Sequence, residues 1–157
     1  MNPLKEKGFT LIELLIGILI LAIGLLALAH MQVAALNGNY SANCMTVATV
    51  LAQDQIERLK TLPFNDPALE DINPDNNNNN SLSNPTDTDS LEHNDPNNPI
   101  DEQGGTGGLR RYQRFWNIAD NTPIQGAKTV VVFVYWGAIE ANGLPRHRVA
   151  IPTIIGS

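Results

Sequence analysis

Residues 9–29 constrain this chain more than any other stretch, because they carry one charge, Glu13, in an otherwise uncharged and mostly apolar run. A helix rises about 1.5 Å per residue, so the run is roughly 30 Å long, the thickness of a bilayer's hydrocarbon core. Lys5 and Lys7 stand on its short N-terminal side, and the other flank has no Lys or Arg until Arg58. The positive-inside rule then keeps the N-terminus cytoplasmic and exports the bulk of the chain. A plain transmembrane anchor is one reading. A secretory signal peptide is another, with residues 14–26 as its apolar region and Ala27-Leu28-Ala29 as a small-residue cleavage site. Glu13 has no use in either. A carboxylate inside an apolar span costs about 2.5–3.5 kcal/mol on insertion scales and marks a site with a partner.

The third reading rests on Lys7-Gly8-Phe9-Thr10-Leu11-Ile12-Glu13 and the unbroken apolar run behind it. This resembles the class III leader of type IV pilins and pseudopilins. The resemblance implies that prepilin peptidase cuts between Gly8 and Phe9 and methylates the new amine of Phe9. Glu13 is then the fifth residue after the cut, where the family keeps its glutamate. The implied role is charge pairing in assembly, with Glu13 of one subunit neutralising the Phe9 amine of a neighbour. Two charges in apolar surroundings persist only as a pair, and removing one strands the other at a cost of about 3–5 kcal/mol. Such a pair sets the stagger between subunits, as buried polar groups set register elsewhere. The competing reading pairs Glu13 with its own Phe9 amine, four residues away.

The helix should continue beyond the apolar run. Cys44, Val47, Ala48, Leu51, Leu59 and Leu62 fall on one face at a 3.6-residue spacing, interrupted by Gln55. Thr46, Thr49, Gln53, Asp54, Glu57 and Lys60 face elsewhere, and Pro63 stops the helix. From Phe9 to Leu62 it would measure roughly 80 Å if unbroken. Asn37-Gly38-Asn39 is the expected place for a kink or a melted turn. Many major pilins have a proline where this chain has His30, and there is none between Pro3 and Pro63. That departure fits minor pilins and secretion pseudopilins better than a bulk fibre subunit. Cys44 is the only cysteine, so no intramolecular disulfide forms, and it reads as a small buried apolar residue.

Residues 63–109 break the pattern. There is no Lys or Arg from Thr61 to Leu109 against ten Asp or Glu, with an asparagine run at 76–80 and a glycine-rich end at 104–108. Such a composition buries too little apolar surface to offset ordering entropy, so a disordered or loosely ordered linker is expected. Asp87, Asp89 and Glu92 are calcium candidates by charge alone. Their spacing lacks the glycine and terminal glutamate of an EF-hand, and a solvated acidic loop is the competing reading.

From Arg110 the period changes to two. Tyr112, Arg114, Trp116 and Ile118 alternate with Gln113, Phe115 and Asn117. Residues 129–136 are β-branched or aromatic throughout, as in a strand buried on both faces. After Asn142-Gly143, Arg146, Arg148 and Ala150 alternate with His147, Val149 and Ile151, and Pro152 should end or bulge that strand. Three antiparallel strands against one helix make a small α+β core. The expected layout is a leader at 1–8, a transmembrane half-helix at 9–29, an amphipathic half at 30–62, the linker at 63–109 and a sheet at 110–157. Trp116, the Val-rich strand ending at Trp136-Gly137 and the segment from Arg148 to Thr153 resemble the tail of PilV-like minor pilins.

No catalytic constellation emerges. His30, His93 and His147 are scattered, and residues 104–108 lack the lysine of a phosphate-binding loop. No enzyme activity, cofactor or metal site is expected. The six basic residues beyond Leu109 are too spaced for a nucleic-acid face. Expected partners are other pilin subunits, prepilin peptidase and the inner membrane, in which the chain would sit as a single pass with its C-terminal part periplasmic until it joins a fibre. A minor subunit of a type IV pilus is the leading function and a type II secretion minor pseudopilin its rival. From a different class comes an exported binding domain released after Ala29.

Overall fold

The computed structural model describes residues 10–76 and 82–156. Two compact units divide between Ala42 and Asn43. Helix α1 spans Leu11–Lys60. In the first unit it stands alone, with every described residue as far as Ala42 exposed. Asn37-Gly38-Asn39 stays helical, so no melted turn forms there. A glycine between two asparagines lowers helix propensity by only about 1 kcal/mol, which the long flanking runs absorb.

The second unit is built on residues 43–60 of α1. Cys44, Ala48, Leu51, Ala52, Ile56 and Leu59 are buried there, and Val47 and Leu62 are partly buried. The expected stripe is thus the packing face. Gln55 does not interrupt it but joins it, with its side chain buried as well. The helix ends at Lys60, two residues before the expected stop, and Thr61 and Leu62 close it with tighter turns onto the carbonyls of Arg58 and Leu59.

Four antiparallel strands form one sheet in chain order: β1 (His93–Asn94), β2 (Tyr112–Asp120), β3 (Ala127–Ile139) and β4 (Pro145–Gly156). A long N-terminal apolar helix packed on an antiparallel sheet is an α+β layout, as expected. Val130, Val132, Val134 and Trp136 face α1 together with Tyr112, Trp116 and Ile118. Val131, Phe133 and Tyr135 point the other way into a second cluster with Leu82 and Leu144. Strand β3 is therefore buried on both faces. Pro152 neither ends nor bulges β4; it pairs with Val131, and the one register shift lies between Trp136 and Ile139. As β4 is an edge strand, a missing N–H is tolerated there.

The segment expected to be loose is anchored at several points along its described residues, between which it is largely exposed. Leu69, Leu82 and Ile100 are buried, and β1 adds the fourth strand by pairing with Trp116 and Phe115. Short 3₁₀ turns at Pro67–Leu69, Pro74–Asn76 and Thr88–Ser90 shape the path between these anchors. Most of the asparagine run lies outside the described residues.

Candidate functional site

The N-terminal end of α1 is where charge and apolar surface meet. Thr10 precedes the helix, and its Oγ1 accepts the Glu13 N–H at 3.3 Å. This is half of a capping box, in which a threonine and a glutamate three residues on satisfy the helix's first donors. An acid in the first turn also complements the positive end of the helix dipole. The bond seen uses the Glu13 backbone N–H, which any residue would supply, so the local use of the carboxylate itself is at the helix dipole. Beside it, Gly17 leaves a shallow notch lined also by Leu14, Ile18 and Leu21. A Cβ added at Gly17 would meet nothing within 4 Å, so the space next to the carboxylate is open. Gly8 and Phe9, the expected cleavage and methylation positions, lie outside the described residues.

Around Glu13 the surface is apolar. Leu11 is 83% exposed, and Leu14, Ile18 and Leu21 are also exposed. The helix is long and apolar enough to cross a membrane. A face of this kind is stable only against lipid or against other apolar helices. His30 is exposed on the same helix.

The acidic residues of the middle segment are not brought together. Asp87 caps the turn at Thr88–Ser90, accepting the Ser90 N–H at 3.0 Å, while the Ser90 hydroxyl accepts from the Asp87 N–H. Glu92 accepts the Ile118 N–H at 3.0 Å, and Asp89 is exposed. Among the described residues no three His, Cys, Asp or Glu side chains gather as a metal would require. Calcium at Asp87, Asp89 and Glu92 thus has no geometric support.

Two carboxylates outside every sequence motif hold the segment in place. Asp101 accepts the backbone N–H groups of Gln103 at 3.0 Å and of Gly105 and Gly108 at 2.8 Å. Residues 104–108 are therefore wrapped around one carboxylate. A Cβ at Gly108 would lie 3.2 Å from the Asp101 side chain, a tight approach that glycine avoids. The N–H groups of Gly105 and then Gly108 hold the Asp101 carboxyl below its ordinary 3.8, against the opposing effect of burial. A depressed folded pKa means stability that is complete above the unfolded value and lost as pH falls through the folded one. The loop should accordingly loosen below about pH 4, with faster amide exchange at Gly105 and Gly108. Asp101→Asn should lower the melting temperature near neutral pH and flatten that acid dependence. An unchanged acid profile in the variant would remove the carboxylate from this role.

Asp95 is the second. It is 4% exposed, and its Oδ2 accepts Nε of Arg114 at 2.9 Å and Nη2 at 2.5 Å. Arg114 is 1% exposed; its Nη1 also donates to the Leu51 carbonyl at 3.0 Å and to Asp54 at 3.3 Å. One guanidinium thereby ties β2 to α1 and to the segment after β1. The available signal was Arg114 at an inward position between Tyr112 and Trp116, since a buried guanidinium demands a carboxylate. Which carboxylate answers it depends on a chain path that periodicity does not reveal.

Residues 3–29 match the family model of the prokaryotic N-terminal methylation motif. No curated protein and no solved structure matches the chain. The matched segment is a class III prepilin leader and indicates a type IV pilin-like or pseudopilin protein, a structural class. It implies processing by prepilin peptidase and assembly with other pilins, and it agrees with membrane anchoring through α1.

Proposed function

We propose that the chain is a minor structural subunit of a type IV pilus, cleaved between Gly8 and Phe9, methylated on Phe9 and assembled through α1. One observation carries the reading. A methylation motif opens a helix that is exposed and almost wholly apolar from Leu11 to Leu36, with Glu13 in its first turn. Before assembly, lipid would cover that surface, with the N-terminus cytoplasmic and the sheet periplasmic. In a fibre the helices of other subunits would replace the lipid, so apolar surface stays out of water on both sides of the transition. A minor role is favoured over a bulk one because α1 has no proline between Leu11 and Lys60 and runs without a break.

N-terminal analysis of the chain recovered from membranes tests this. Methylated Phe9 is the expected first residue. A start at His30 would mean ordinary signal peptidase and an exported domain, and would end the fibre reading.

A further inference from the structure

The sheet face turned away from α1 carries an open cleft of about 310 Å³ between the β3–β4 turn and the segment at Asn84. That is the lower end of the range for small-ligand sites. Tyr135 lines it and is 2% exposed; the Arg148 guanidinium beside its hydroxyl can only donate, so the hydroxyl's own hydrogen finds no acceptor. Buried polar groups in folded proteins are almost always satisfied, so a hydroxyl donor without an acceptor beside a cleft asks for one. Burial pushes the pKa of this phenol up, and the nearby Arg148 offsets that only in part, so the group stays a neutral donor at neutral pH.

Arg148 is the direct cross-strand partner of Tyr135, which puts phenol and guanidinium on one face. Its Nη2 donates to Oδ1 of Asn84 across the cleft, which fixes the guanidinium there. The other cation in the lining, Arg146, is matched by Glu140 at 3.1 Å. Arg148 forms no ion pair among the described residues. The cleft therefore holds one uncompensated positive charge, one unused hydroxyl donor and an apolar wall at Leu144.

We infer that this cleft binds a small monoanionic carboxylate, clamped between the Arg148 guanidinium and the Tyr135 hydroxyl. A guanidinium presents its N–H groups in a fork that matches a carboxylate, and the phenol adds a donor from the strand beside it. A dianion would meet Glu140 with a charge left over. Nothing here depends on how the N-terminus is processed, because the cleft lies wholly in the second unit.

The test uses the full chain in detergent micelles and ligand-observed NMR. D-glucuronate and N-acetylalanine are the carboxylate probes, with methyl glucoside and N-acetylalaninamide as their neutral counterparts. At least one carboxylate should bind, and its neutral counterpart about tenfold or more weakly, as the loss of a charged hydrogen bond requires. The preferred probe shows whether a sugar acid or a peptide terminus is the source. Tyr135→Phe should weaken that binding by about tenfold while leaving the melting temperature equal or higher, because it deletes an unsatisfied group without changing shape. Arg148→Gln should abolish binding. Equal binding of acid and neutral probes, no binding of either acid, or an unchanged affinity in Tyr135→Phe would each overturn the inference.

Discussion

Glu13→Val should leave the chain inserted in the membrane and cut after Gly8, yet absent from fibres. Insertion should improve, since the substitution removes a carboxylate that costs about 2.5–3.5 kcal/mol in an apolar span. Processing should persist because Gly8 and Phe9 are untouched. What disappears is the only Asp, Glu, Lys or Arg in the described first unit. A neighbour's Phe9 amine, brought into a helical bundle, would then be buried without a partner at about 3–5 kcal/mol, a loss of more than a hundredfold in association. Glu13 also sits where a capping box places its acid, so a helix-end effect must be separated from charge pairing. Glu13→Gln makes that separation. Glutamine serves equally in a capping box but carries no charge, so it should restore the helix end and still fail in assembly. Immunodetection of the chain in sheared fibres and in membranes gives both readouts. Glutamine incorporated at the wild-type level would assign Glu13 to capping and dismiss the intersubunit pair.

The parts that sequence exposes are those where a physical period survives local noise. Strand β3 is visible because residues 129–136 are β-branched or aromatic on both faces, and the structure buries both. The packing stripe of α1 is visible because its spacing is helical, although Gln55, a polar gap in that spacing, is a buried member of the same face. The middle segment resists such a reading because composition averages away position. Its Leu69, Leu82 and Ile100 are scattered and each is buried, so three well-placed anchors vanish into a polar average. Its aspartates have the composition of solvated charge, and several are turn-formers instead. Asp66 accepts from Ala68, Asp87 from Ser90, Asp95 from Asn97, and Asp101 from three backbone donors. Side-chain acceptors of this kind order a loop without needing a hydrophobic period. Strand β1 has two residues and no pattern of its own; its place is set by Trp116 and Phe115 opposite. At the candidate site, the motif at Gly8, Phe9 and Glu13 is legible from residue types alone, while the open notch at Gly17 requires coordinates.

Arg114→Met should destabilise the second unit by about 3–5 kcal/mol, the largest effect expected from any single change in the sheet. A domain of this kind has roughly 5–15 kcal/mol in total, so the loss is a third or more of it. Methionine keeps the apolar stem of arginine though not the guanidinium, so lost volume accounts for only a small part of the penalty. It comes from the Asp95 carboxylate, 4% exposed, which loses both guanidinium bonds and has no route to water. Asp54 should matter little to this balance, because it is half exposed and already pairs with Arg58 at 3.0 Å. Adding Asp95→Asn to Arg114→Met should therefore recover part of the stability, since asparagine still accepts from the Asn97 N–H and carries no charge. Denaturant titration of the two single variants and the double variant closes a thermodynamic cycle, with an expected coupling of about 0.5–3 kcal/mol. Additive losses would mean that the pair is not what joins β2, α1 and the segment after β1. A net coupling would explain how a chain with one cysteine, and so no internal disulfide, holds its polar middle segment against the sheet.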